Sequence, residues 1–136
     1  MADCEWAILC DYSFLDVNRK TCIIGVFDRI MAANVPSALP HAALALKFTG
    51  RSGEQVNAQI QIIRPTGGQL AAFQVGIKLP ENGSIELQLN IANLALPDYG
   101  AYAFNIYEQA TLLKTITFLV DRPPQQQVPP VPPVNP

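Results

Sequence analysis

The segment Ser84-Ile85-Glu86-Leu87-Gln88-Leu89-Asn90-Ile91 alternates polar and apolar residues without a fault. A period of two puts successive side chains on opposite faces of a strand, so one face meets a core and the other meets water. Val56-Asn57-Ala58-Gln59-Ile60-Gln61-Ile62 repeats the pattern, and so does Leu44-Ala45-Leu46-Lys47-Phe48, with Ala45 as a small outward residue. One-sided strands of this kind belong to antiparallel sheets packed face to face. A parallel sheet covered on both sides carries continuous apolar runs instead. The alternation therefore selects an all-β sandwich and leaves no place for a helix longer than two turns.

Turn chemistry divides the chain into about eight strands. Their expected ranges are 5–13, 21–29, 42–49, 56–64, 68–79, 84–91, 101–108 and 112–121. Asp16-Val17-Asn18-Arg19 and Gly50-Arg51-Ser52-Gly53 read as hairpin loops. Pro65-Thr66-Gly67-Gly68 and Pro80-Glu81-Asn82-Gly83 read as tight turns, because Pro presets one backbone angle and Gly accepts positive φ. The longest connection, 30–41, holds Pro36 and Pro40 and is expected to cross between sheets. Asn93-Leu94-Ala95-Leu96 is expected to form one helical turn. Residues 1–121 make one domain. After Asp121 the composition changes to Pro, Gln and Val with no period, so 122–136 reads as an extended or disordered Pro-rich tail.

Pro97-Asp98-Tyr99-Gly100-Ala101-Tyr102 carries the most local information. Asp-x-Gly-x-Tyr ahead of an alternating strand resembles the tyrosine corner of immunoglobulin-like domains, in which the Tyr hydroxyl bonds back to the backbone and the ring packs inward. Gly100 supplies the bend, Asp98 a local bond to backbone, and Tyr102 starts the inward series Tyr102, Phe104, Ile106. Phe104 stands where antibody domains carry their second inter-sheet cysteine, so no antibody-type disulfide is expected. The motif makes the expected sandwich an immunoglobulin-like one.

Ile8-Leu9-Cys10-Asp11-Tyr12, Ile24-Gly25-Val26-Phe27-Asp28-Arg29-Ile30, Leu44-Ala45-Leu46-Lys47-Phe48 and Pro97-Asp98-Tyr99-Gly100-Ala101-Tyr102-Ala103-Phe104 together resemble a family of uncharacterised bacterial proteins, a domain-of-unknown-function group. The resemblance runs from about Glu5 to Asp121. It implies a bacterial origin and a β-sandwich, and it implies no activity.

Charge and composition exclude several function classes. The formal net charge is -2 and only 15% of residues are charged, with no basic stripe of the kind nucleic acid requires. No run is long and apolar enough to span a membrane. The acidic start Met1-Ala2-Asp3-Cys4-Glu5 lacks the features of a secretory leader, so a cytoplasmic location is expected. Cys4, Cys10 and Cys22 are odd in number and are expected to be free thiols. His41 is the single histidine, expected at the surface or a strand edge. Neither zinc spacing, nor a nucleophile elbow, nor a phosphate loop is present. Asp11, Asp16, Asp28 and Asp98 are scattered without calcium-loop spacing. No cofactor, no metal and no enzymatic activity are expected.

What remains is contact with another protein or with a second copy. Tyr99 and Tyr107 are expected to be exposed anchors, since Tyr is enriched at interfaces. Asp11, Asp28 and Arg29 read first as charges that protect a sheet edge, and alternatively as a candidate recognition patch with Tyr12. Gln55, Asn57, Gln59, Gln61 and Glu86, Gln88, Asn90 form polar, largely uncharged outward series. Pro130 and Pro133 of the tail are candidate docking residues for an aromatic groove. The alternative is a small-ligand or carbohydrate binder. Its one candidate platform, Trp6, alternates with Ile8 and Cys10 and is expected in the core.

Overall fold

The computed structural model describes residues 2–124. Pro130 and Pro133, with the rest of 125–136, lie outside the described residues. The chain forms β1 (Asp3–Leu15), β2 (Thr21–Val26), β3 (Arg29–Met31), β4 (Ser37–Thr49), β5 (Gln55–Ile63), β6 (Gln69–Lys78), β7 (Ser84–Leu96), β8 (Gly100–Glu108) and β9 (Thr111–Asp121). They build two sheets, one in the order β2-β1-β4-β7 and the other in the order β3-β9-β8-β5-β6. Every pairing is antiparallel except β3 with β9.

The alternating faces meet as expected. Leu44, Leu46 and Phe48 of β4 pack toward Val56, Ala58, Ile60 and Ile62 of β5 and Tyr102, Phe104 and Ile106 of β8. Phe118 of β9 stacks on Tyr102, with ring centroids 5.0 Å apart, and tilts against Phe104 at 5.8 Å. Aromatic packing of this kind adds roughly 0.5–1.5 kcal/mol per pair beyond the area buried.

The structure corrects four expectations. The second expected strand is two: β2 ends at Val26, and β3 changes sheet to run beside β9. The 30–41 connection therefore does join the sheets, but it contains β3 and the start of β4. Asn93–Leu96 is not a helical turn. It continues β7, pairing Leu96 with Ser37 and Leu94 with Leu39. Asn93 takes φ 52° opposite Pro40, which has no N–H to give to a ladder. His41 sits within β4, a central strand, so the expected strand edge is corrected while its place at the surface holds.

Trp6 is the fourth correction. A register shift between Cys4 and Trp6 moves the strand by one residue, so Cys4, Ala7 and Leu9 join the core instead of Trp6 and Ile8. An extra residue in a strand exchanges its two faces downstream. Trp6 is half-buried on the outer side.

The hairpin β1–β2 leaves the plane of its sheet. The Thr21 hydroxyl, opposite Leu15 at the far end of the ladder, donates to Glu86 at 2.5 Å and accepts from the Gln88 amide at 3.4 Å. Both partners are on β7. A flat β2-β1-β4-β7 sheet would hold β2 and β7 three strand spacings apart, about 14 Å. The hairpin must therefore bend across the outer face of β4 and β7. This explains why Ala43 and Ala45, on the outward parity of β4, are completely buried.

Candidate functional site

Two regions of the molecule carry the residues singled out above, and they are built in opposite ways. At the corner before β8, the Tyr102 hydroxyl donates to the Asp98 carbonyl at 2.8 Å and accepts from the Asp98 N–H at 2.9 Å. The ring is fully buried. Gly100 adopts φ 124° and packs against Pro65, where a Cβ would approach within 2.9 Å. The tyrosine corner is thus present, with one difference: the Asp98 carboxylate bonds Arg64, whose Nε and Nη2 reach Oδ2 at 3.0 and 2.8 Å, and not nearby backbone. Burial pushes the Tyr102 phenol above its ordinary value of 10.0.

Tyr99 belongs to this structural region. It is half-buried, its hydroxyl donates to the Ala32 carbonyl at 2.8 Å, and Arg122 lies over its ring at 4.9 Å. It ties the connection after β3 to the corner and is not an exposed anchor. Tyr107 is also half-buried, on the outer face of β8 opposite Gln59. That face is uncharged at its centre: cross-strand rows place Gln74 beside Gln59, Asn57 beside Gly76, and Gln61 beside Asn105. A hollow of about 400 Å³ lies there, lined by Asn57, Gln59, Gln74, Gly76 and Gln109 among others.

The other region is the β1–β2 hairpin. Among the described residues the large exposed hydrophobic side chains are Tyr12, Phe14, Leu15, Val17, Ile24, Val26, Met31 and Leu112, and all but the last two sit on this hairpin. The ladder pairs Tyr12 with Ile24, Phe14 with Cys22 and Cys10 with Val26, so Tyr12, Phe14, Ile24 and Val26 share one face. Tyr12 is 54% exposed and Val26 67% exposed. The His41 ring stacks under Tyr12 at 4.7 Å, and its Nδ1–H donates to the Asp11 carbonyl at 2.7 Å. The one histidine therefore fixes an exposed aromatic, a role its lone position in the sequence did not reveal.

The charges near this face are not drawn together. Asp28 has no salt-bridge partner among the described residues, while Arg29 reaches Asp121 at 4.0 Å. Asp11 lies against Gly25, where any Cβ would collide with the carboxylate. Glu86 and Gln88, expected to form an open outward series, are engaged by Thr21.

Cys4, Cys10 and Cys22 are free. Burial raises the thiols of Cys4 and Cys10 above the ordinary 9.0, and Asp11 adds to the effect at Cys10. Such thiols are poor nucleophiles. No group of three or more His, Cys, Asp or Glu that could hold a metal ion occurs among the described residues. One Glu108 oxygen and the Ser13 hydroxyl are buried without a hydrogen-bond partner among the described residues.

Two packed antiparallel sheets, a tyrosine corner at the start of β8 and a short β3 running parallel to the last strand define an immunoglobulin-like β-sandwich. The chain belongs to the DUF6941 family, a family of unknown function, which it matches over residues 5–121. No curated protein sequence matches it. Its fold is similar to part of the Pseudomonas fluorescens alkylpurine DNA glycosylase AlkC bound to DNA containing an abasic site analog, at TM-score 0.55 and 9% identity. That likeness covers 88% of this chain and 30% of the glycosylase chain, so this chain spans under a third of that protein. An immunoglobulin-like protein from Pseudomonas aeruginosa aligns at TM-score 0.45 and 11% identity, covering 88% of this chain and 96% of that one.

Proposed function

We propose that this protein is a non-enzymatic protein–protein interaction module that docks through the outer face of the β1–β2 hairpin. The observation that carries the reading is the concentration of exposed apolar side chains on that one hairpin. Scattered surface hydrophobics need no explanation, but a contiguous patch rimmed by polar residues marks an interaction site. Tyr12 and Phe14 are the expected anchors, because aromatics on a rigid strand lose little entropy on binding and fill pockets well. The stack on His41 holds Tyr12 in place before a partner arrives.

A photo-crosslinking residue in place of Phe14 tests this in cells of the source organism, with the same residue in place of Gln59 as control. Crosslinks to a defined protein from position 14 and not from 59 support the reading. Equal labelling from both positions, or none from either, sinks it.

The second reading is a small polar ligand or carbohydrate on the β5–β6 face. It rests on the amide-lined hollow beside Tyr107, since paired amides suit sugar hydroxyls. A thermal-shift and glycan-array screen that stays flat for the wild type removes it.

A further inference from the structure

We infer that the partner of the hairpin face is a second copy of this chain, packed face to face about a twofold axis with the two hairpins antiparallel. The inference rests on the interaction reading and names its partner.

Three features of the hairpin point to self-pairing. The first is area. Tyr12, Phe14, Ile24 and Val26, which share the outward face of the ladder, are each about half exposed or more. With the flanking Arg19, Lys20 and Asp28 they offer on the order of 500 Å² per copy, or about 1,000 Å² when two copies meet, which is the size at which a stable interface begins.

The second feature is charge. The tip of the hairpin carries Arg19 and Lys20, both exposed and both without a salt-bridge partner among the described residues. The nearby Asp16 carboxylate is occupied by the Asn18 and Lys20 N–H groups. The base carries Asp28, also exposed and also without a salt-bridge partner among the described residues. One end of the hairpin is thus cationic, the other anionic, and the face between them apolar. A surface of that form is its own complement once rotated by 180°. An isologous contact brings the cationic tip of each copy to the anionic base of the other, twice.

The third feature is the edge. Of the four edge strands, β3 carries Arg29, β6 carries Lys78 and β7 carries Glu86, whereas β2 reads Thr-Cys-Ile-Ile-Gly-Val with no charge. Proteins place charge on edges that must stay free. β2 lacks that protection beside the apolar face.

Sedimentation velocity on the full chain over a concentration series is the test. The wild type is expected to be a dimer at micromolar concentration. Ile24→Asp is expected to raise the dissociation constant about 100-fold, with an unchanged far-ultraviolet spectrum. Arg19→Glu with Lys20→Glu, and separately Asp28→Lys, are each expected to weaken the dimer roughly 5-fold at low salt. Mixing the tip-reversed and base-reversed chains should form a heterodimer tighter than either reversed homodimer, because each contact then joins opposite charges. A mixture no tighter than its components overturns the antiparallel arrangement. A wild type that stays monomeric overturns the second copy as partner. If Phe14 still crosslinks to a different protein in cells, the interaction reading survives that result. A crosslink from Phe14 into residues 125–136 of the same chain also overturns the proposal, since the tail then covers the face.

Discussion

The corner at Asp98–Tyr102 and the hairpin of β1 and β2 are both β-structure that carries tyrosine, yet one is closed and the other open. At the corner each polar atom of note has a partner: the Tyr102 hydroxyl makes two bonds, Arg64 holds Asp98, and Tyr99 reaches Ala32. On the hairpin the apolar side chains face outward and the charges at both ends stand apart. Closure of the first kind fixes a single chain conformation. Exposure of the second kind adds little to the folded monomer and becomes useful only when something covers it. The difference separates residues kept for folding from residues available for recognition, although Tyr occurs in both.

Mutations can break that separation or sharpen it. Phe104→Ala removes a fully buried ring that packs against Phe118 and is expected to cost about 3–5 kcal/mol, read from urea unfolding. Gly100→Ala forces a side chain into positive φ and against Pro65, and about 1–3 kcal/mol should be lost. Tyr102→Phe keeps the ring and deletes its two bonds to Asp98. A loss of about 1–2 kcal/mol is expected, and a neutral result would show that the corner is packing alone.

The pH dependence follows from burial. Cys4, Cys10 and Tyr102 all hold their protons more tightly in the fold than in the unfolded chain. Their contribution is complete below the ordinary values of 9.0 and 10.0 and is lost as pH rises through the higher folded values. The urea midpoint should therefore fall from about pH 9 upward, as scanned to about pH 11, and Cys4→Ala with Cys10→Ala should flatten the early part of the fall. At the small end, Val26→Thr should change monomer stability by no more than about 0.5 kcal/mol while weakening self-association measurably. A large stability loss there would mean that the hairpin is a folding element like the corner.

The corner was legible in the sequence because it is local. Six consecutive residues supply the bend, the ring and the backbone that the hydroxyl meets. The inward series of β4, β5 and β8 was legible for the same reason, since period two reports faces without reference to any other strand. Trp6 was misplaced because a register shift at Cys4–Trp6 exchanges faces, and nothing in Cys4-Glu5-Trp6-Ala7 announces it. β3 escaped notice because three residues, Arg29–Met31, are too few to show a period; their partner, Leu119–Asp121, lies at the other end of the domain. Tyr99 and Tyr107 look alike in sequence, yet one is held by Ala32 and Arg122 and the other lies in an amide face.

The sequence by itself determined the all-β class, the turns, the inward series and the tyrosine corner, because each depends on neighbours a few residues apart. Only the tertiary structure decided that the β1–β2 hairpin crosses the outer face of its own sheet, burying Ala43 and Ala45 and leaving Tyr12, Phe14, Ile24 and Val26 in water. That outcome turns on bonds from Thr21 to Glu86 and Gln88, more than sixty residues away. Alternation states which side chains share a face. It does not state what will cover that face, which depends on the path of the whole chain.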